Sequence, residues 1–409
     1  MKNWLFLKSV KDFANLFFLS HKDAVLFVGD PHKYLTINDC AFSPIIDSFE
    51  QILNDNNFNT IQIFGSPSFI NYNKCFGNTK NLNVIYLTSY LIKKIFSEKY
   101  RIFFEKFFFR IVLNKLKPRV VFGLGLRPSL CEACHDKKIP CVEIMHGYGY
   151  DPNVYFWDNC KANQMPSDIW VFDDTSKESI ISLFNKRGLI KSVKKIPHIW
   201  SVFLREYPAK IKIPSIKKVL QLPKRYKRLV LFSLQWCYEN EDTNYREFHN
   251  ILENGYIPKS VIEAVEQTKS SVFWLFRRHP FQVNNKKYKN QELFLKNLKT
   301  KYKNIEWEFS SRLPIFSILQ DVDAHLTMSS MTCYEAASYH IRSLILCPNF
   351  QIKGVHSFYF SDLVKNKMAY KREAKASEIV KFVTSVTKRK VFSFDLSFCR
   401  LIKALSQFR

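Results

Sequence analysis

Short apolar runs alternate with charged, helix-patterned stretches along this chain, and their spacing predicts the architecture. Ala24-Val25-Leu26-Phe27-Val28 ahead of Gly29-Asp30 reads as a buried strand ending in a turn. Helical spacing follows over 45–53, then a strand at 60–64, a short strand at 84–87 and one long helix over 90–117, stopped by Pro118. Strands at 119–123, 140–145 and 168–172 then alternate with helices at 129–135 and 177–186. A second rhythm starts at 228–233. It runs through strands at 271–276, 305–308, 322–327 and 343–347, with helices at 259–269, 290–301, 314–320 and 331–339 between them. Helical patterns at 376–388 and 395–408 close the chain.

Strands regularly separated by helices imply a parallel, doubly wound sheet, and the pattern occurs twice. Between the halves, Pro208, Pro214 and Pro223 stand in a run of lysines and arginines that few helices or strands tolerate. The expected organisation is α/β, with two Rossmann-like domains facing across a cleft. Residues 1–205 form the first domain, 206–228 a basic linker and 229–390 the second domain. A helix within 391–409 is expected to cross back to the first.

Composition narrows this only slightly. With 409 residues, 46% hydrophobic and 24% charged, the chain can bury two cores and is not a disordered segment. A formal net charge of +26 favours anionic partners without choosing among them. The ten cysteines show no disulfide framework, and a reducing compartment is expected. The tight group Cys131-x-x-Cys134-His135 falls in a predicted helix with no matching second pair, so no metal and no cofactor is expected there. No uncharged run approaches the ~18 residues that span a bilayer, so the protein is expected to be cytoplasmic. Around 93–117, phenylalanines are interleaved with lysines and arginines. Together with the start of the chain, this suggests an interfacial helix on an anionic membrane surface.

Candidate chemistry sits at strand ends, where a parallel α/β sheet carries its ligands. In the first half, His146-Gly147-Tyr148-Gly149 follows a strand, and Asp173-Asp174 follows the next. His146 suits a base or acid near neutral pH, and Asp173 or Asp174 is an alternative. Gly147 and Tyr148 are expected to face the acceptor. Glu143 and Asp158 are further carboxylates in reach. Thr175-x-x-Glu178 reads as a capping box for the following helix.

In the second half, Arg277-Arg278-His279-Pro280 ends one strand, and Ser329-Ser330-x-Thr332 opens a helix after another. Arginines, a histidine and hydroxyls suit an anionic phosphate. Gln235, just after the first strand of this half, is placed to meet the ligand and Glu335 to reach a ribose or base, and Thr332-x-x-Glu335 also reads as a capping box. Asp321-x-Asp323 is expected on a strand rather than in a metal-nucleotide loop. Neither a phosphate loop nor a Gly-x-Gly-x-x-Gly fingerprint occurs.

The His146-Gly147 turn, the His279-Pro280 pair and the Ser329-Ser330 pair, in that order, resemble the two-Rossmann-domain (GT-B) glycosyltransferases of bacterial surface polysaccharides. Capsule Kdo transferases and sialyltransferases are of this kind. The resemblance implies a glycosyltransferase that uses a nucleotide-activated sugar, and with no Asp-x-Asp motif in a sheet-end loop no metal dependence is expected. His279 and the Ser329-Ser330 hydroxyls would bind the donor's cytidine phosphate, and a first-domain histidine or carboxylate would act near the acceptor. Expected partners are a CMP-linked acidic sugar and a saccharide or lipid-linked saccharide. The sialyltransferase Asp/Glu-Asp/Glu-Gly signature is absent, because Asp173-Asp174 is followed by Thr175. Two alternatives are a CDP-glycerol or CDP-ribitol phosphotransferase of the teichoic-acid type, and a non-catalytic basic nucleic-acid-binding protein. The dispersed charge and missing nucleic-acid motif argue for no nucleic-acid partner.

Overall fold

The computed structural model describes residues 2–29, 35–37, 40–65, 75–149, 157, 160–207, 214–235, 251–283, 285–354, 356–386 and 398–408. Asp30, Asp158 and residues 208–213 of the basic linker lie outside these. The chain divides into two compact units: Met1–Ile211 with Asp395–Arg409, and Lys212–Phe394.

The first unit is built on a seven-stranded parallel sheet of β1 (Ala24–Gly29), β2 (Thr60–Gly65), β3 (Thr79–Asn81), β4 (Val120–Leu124), β5 (Cys141–Ile144), β6 (Asp168–Val171) and β7 (Ser192–Lys195), ordered β3-β2-β1-β4-β5-β6-β7. The central strands are buried on both faces, so they read as continuous apolar runs. One face packs Val25, Ile63 and Val121 under Phe109, Val112 and Leu116 of the helix Glu98–Leu116. An aromatic lattice fills the other. Phe122 lies 4.9 Å from Phe49 and 5.3 Å from Trp170. Phe408, just past the closing helix Phe398–Ser406, adds a ring 5.6 Å from Phe122.

The second unit repeats the plan with β8 (Arg228–Ser233), β9 (Val272–Arg277), β10 (Ile305–Glu306), β11 (Ala324–Thr327), β12 (Ser343–Ile345) and β13 (Ala369–Lys371), ordered β10-β9-β8-β11-β12-β13. Val230, Phe232, Trp274, Phe276 and Leu326 make its core. In both units the strand order reverses between the first and fourth strands, and that switch point is where doubly wound sheets take ligands.

Four expectations need correction. Residues 84–87 are not a strand but part of the helix Asn83–Ile95, where Ile85, Tyr86 and Ser89 are buried at helical spacing. A four-residue apolar run is too short for its period to decide. The helix over 90–117 is two helices, since the backbone turns out of helix at Phe96 and Ser97 before Glu98–Leu116 begins. The first of them is Asn83–Ile95, which takes in all of 84–87. Asp321 and Asp323 precede β11 rather than lying in it. They accept from Ser215 Oγ (2.5 Å) and the Leu229 amide (2.9 Å), and so brace the sheet at the edge away from the ligand end. Strands β3, β7 and β13 were missed because short edge strands such as Thr-Lys-Asn carry no apolar signature.

Candidate functional site

Ligand-competent groups converge at the carboxyl edge of the second sheet. Arg277 and Arg278 are neighbours on an extended strand, so their side chains leave on opposite faces. Arg278 is buried and fully engaged. Its Nε meets Gln291 (3.0 Å), one terminal nitrogen meets Glu292 (3.3 Å) and the other donates to the Gln282 carbonyl (2.6 Å). It clamps the strand exit onto the helix Lys289–Lys301 and does not face a ligand. Arg277 takes the other side, donating to the carbonyls of Ser310 and of Leu313 (2.7 Å).

The Arg277 charge acts on two neighbours. Partial burial, reinforced by Arg277, lowers the pKa of His279 to about 4, so its imidazole is neutral at pH 7. Its backbone amide donates to Gln282 Oε1 (2.9 Å), which fixes the short helical turn Pro280–Gln282. Pro280 itself is exposed. Glu335 is partly exposed along its length, yet the protein packed around its carboxyl raises the pKa to about 7, against the opposing effects of Arg277 and a hydrogen bond with Thr332.

The loop between β11 and the helix Thr332–Ser338 is held from below. Thr327 Oγ1 donates to the Ser233 carbonyl (3.0 Å) and accepts from the Ser330 amide (3.0 Å). Ser330 Oγ bonds Thr332 Oγ1 (2.9 Å) and accepts from the Thr332 amide (3.2 Å). Thr332 is the first residue of the helix and not its cap, so the second capping box does not form. Ser329 is partly exposed beside it.

Beneath this loop, His325 bridges Ser233 (3.0 Å) and Ser343 (2.9 Å) across three strands, and burial lowers its pKa to about 3. Ser233, His325 and Thr327 support the site and were not identified from sequence. Their signal was there, as polar residues inside otherwise apolar central strands. Gln235 follows β8 at the switch point. Its amide oxygen is buried with no hydrogen-bond partner among the described residues, which is costly unless something supplies a donor.

The first unit gathers fewer groups. His146 leaves β5 with its side chain exposed, although the crowding around its ring lowers the pKa below the usual histidine value. Gly149 has φ +66°, a conformation few residues adopt. Its amide donates to Asp173 (3.1 Å). Asp173 is buried and caps the helix Asp174–Lys186, accepting also from the amide (2.8 Å) and hydroxyl (2.7 Å) of Ser176. The cap lies two residues ahead of the Thr175-x-x-Glu178 box expected from sequence.

Asp174 pairs with Lys195 at 2.6 Å on the surface. Tyr148 is packed inward, stacked on His198 at 5.2 Å, while Gly147 is half-buried in the same turn. Glu143 is buried, and its two oxygens accept from the amides of Gly125 (2.6 Å) and Leu126 (2.7 Å). Gly125, at φ +71°, forms the exit of β4 at this sheet's switch point. The Gly123-x-Gly125 spacing was the overlooked signal.

Among the described residues, no cluster of His, Cys, Asp and Glu is arranged to hold a metal. No helix among them is long and apolar enough to cross a membrane.

No protein-family model and no curated protein matches this chain. Solved structures do. A UDP-GlcNAc 2-epimerase from Methanocaldococcus jannaschii aligns over 95% of this chain and 100% of its own, with 12% identity and a TM-score of 0.58. The UDP-GlcNAc 2-epimerase from Neisseria meningitidis, solved with UDP-GlcNAc, covers 95% and 93% with 15% identity and a TM-score of 0.55. A putative UDP-N-acetylglucosamine 2-epimerase from Listeria monocytogenes covers 94% and 96% with 10% identity and a TM-score of 0.58. Identities this low establish the fold alone: two Rossmann-like units of the GT-B type.

Proposed function

We propose that this chain is a nucleotide-sugar enzyme, specifically a glycosyltransferase that moves a Kdo- or sialic-acid-like sugar from a CMP-linked donor onto a saccharide or lipid-linked acceptor. The observation that carries this reading is the grouping of Arg277, His279, Ser330, Thr332 and Glu335 at one sheet's switch point with the Gln235 oxygen, which has no partner among the described residues. Arg277, His279 and the Ser329 and Ser330 hydroxyls would hold the donor phosphate. Gln235 would accept from a hydroxyl or amine of the nucleoside, and Glu335 would do the same when ionised.

In the transfer, the acceptor oxygen bonds to the anomeric carbon as that carbon's bond to the phosphate oxygen breaks. The nucleotide leaves with the electron pair, and His279 donates a hydrogen bond to the departing phosphate. The acceptor proton goes to a base, a role we assign to His146. Its lowered pKa keeps the ring in the proton-accepting form at neutral pH. Asp173 is left a structural part, since three donors already occupy its carboxylate.

A second reading, epimerisation of the sugar in UDP-GlcNAc, is favoured by the names of the solved structures that share this fold. Titration calorimetry with CMP, CDP, UDP and GDP separates the nucleotides. Product analysis then separates glycosidic transfer, phosphodiester transfer from CDP-glycerol, and an epimerised sugar nucleotide. Binding of none of the four nucleotides by folded protein overturns the proposal.

A further inference from the structure

The helix Glu98–Leu116 is apolar on two sides. One side is core: Phe109, Val112, Leu113 and Leu116 are buried, and Phe109 sits edge-on to Phe27 at 5.6 Å. The other side is not. Tyr100 is 59% exposed, Phe103 71% and Phe107 53%. These three recur at intervals of three and four residues, one stripe along the helix, and Phe96, 68% exposed in the break just ahead of it, sets its ring 5.8 Å from Tyr100.

The stripe is extended by neighbours. Leu91 and Ile95 are exposed on the preceding helix. Phe107, Phe108, Phe13 and Phe17 form a chain of ring contacts at 5.8, 5.5 and 5.4 Å, which carries the surface onto the helix Lys2–Leu16 and the exposed Phe18 beyond it. That helix is pinned here by Ser9, which accepts from the Val84 amide at 2.7 Å, and by Asp12, which accepts from the Asn81 amide at 3.1 Å. Large apolar side chains this numerous and contiguous mark a surface that something covers.

Charge selects the covering. Lys8, Lys11, Lys93, Lys94 and Lys99 belong to the same helices. The acidic Glu98 among them is held by Lys93 (3.2 Å) and Arg101. A second copy of the chain would bring lysines against lysines, with a net charge of +26 on each partner. A layer of anionic lipid takes both features at once: rings enter between the acyl chains while lysines meet headgroup phosphates.

We infer that the face formed by the helices Lys2–Leu16, Asn83–Ile95 and Glu98–Leu116 docks on an anionic membrane surface. The stripe lies in the plane of the interface and does not span it. The inference stands apart from the proposed transfer chemistry.

The test is co-sedimentation of the full chain with vesicles of phosphatidylcholine, with and without phosphatidylglycerol. Binding is expected only with the acidic lipid, and it falls as salt is raised. Each lysine at such a surface is worth roughly a factor of five, so Lys94→Gln with Lys99→Gln lowers the partition about 30-fold. Phe103→Ser with Phe107→Ser changes only exposed side chains, which leaves circular dichroism unchanged, and lowers the partition roughly tenfold or more. Equal binding to neutral vesicles, or undiminished binding by the serine variant, overturns the inference. So does a dimer in sedimentation equilibrium that the serine substitutions dissociate, because a second copy would then cover the face.

Discussion

Glu143→Gln tests whether a buried carboxyl in the first unit is structural. Burial raises its pKa from 4.5 to about 8, against the pull of the Leu126 and Gly125 amides. In the unfolded chain the carboxyl ionises near 4.5, while the folded protein keeps its proton until pH 8. The unfolded state therefore binds fewer protons between these values, and folding is penalised progressively across that window. At about 1.4 kcal/mol per unit, the penalty reaches roughly 3 kcal/mol at pH 7 and roughly 5 kcal/mol above pH 8.

Glutamine removes this titration. It also turns its amide nitrogen toward one of the two backbone N–H groups, costing about 1–3 kcal/mol at every pH. The two effects balance near pH 6 for a mid-range cost, by the same linkage. Urea unfolding of both proteins from pH 5 to pH 8.5 measures the difference, in which groups common to both cancel. The variant is expected to be less stable at pH 5 and more stable by about 3 kcal/mol at pH 8.5. A stability difference that stays constant with pH refutes the reasoning, because Glu143 would then be ionised in the fold or not buried.

Arg277→Ala is expected to weaken nucleotide binding by about 1.5–3 kcal/mol in calorimetry, and Arg277→Lys to recover only part of it, because the fork to the Ser310 and Leu313 carbonyls is lost. Asp173→Ala removes three hydrogen bonds and the helix cap. It should cost about 2–4 kcal/mol in urea unfolding while leaving nucleotide affinity unchanged. His279, lowered to about 4 by burial and Arg277, should show no imidazole titration by NMR between pH 6 and 8. Its depressed pKa makes the unfolded chain bind more protons below about 6.5, so stability falls as the pH drops from there towards 4. Replacing His325, lowered to about 3 by burial, with Asn should shift the acid-unfolding midpoint downward, although the lost bonds to Ser233 and Ser343 lower stability at pH 7.

The sequence by itself determined the fold. Runs such as Val-Val-Phe-Gly-Leu at β4 and Leu-Val-Leu-Phe at β8 can be satisfied only between two covered faces, and their alternation with helices leaves a parallel sheet as the solution. It also marked Arg277, His279, Ser330 and Glu335, because residues at strand ends inherit their place from the topology. Tertiary structure alone decided which of two adjacent groups faces outward. Arg277 and Arg278 are equivalent as letters, yet the pleat sends one to the candidate site and the other into a buried clamp with Gln291 and Glu292. Asp173 looked like chemistry and is a cap, since the amides that engage it come from Gly149, 24 residues away, as well as from its own helix. Glu143 owes its raised pKa to surroundings that no local window contains. Burial and partners across strands are properties of the packed chain, and they determine which polar residues are left to meet a ligand.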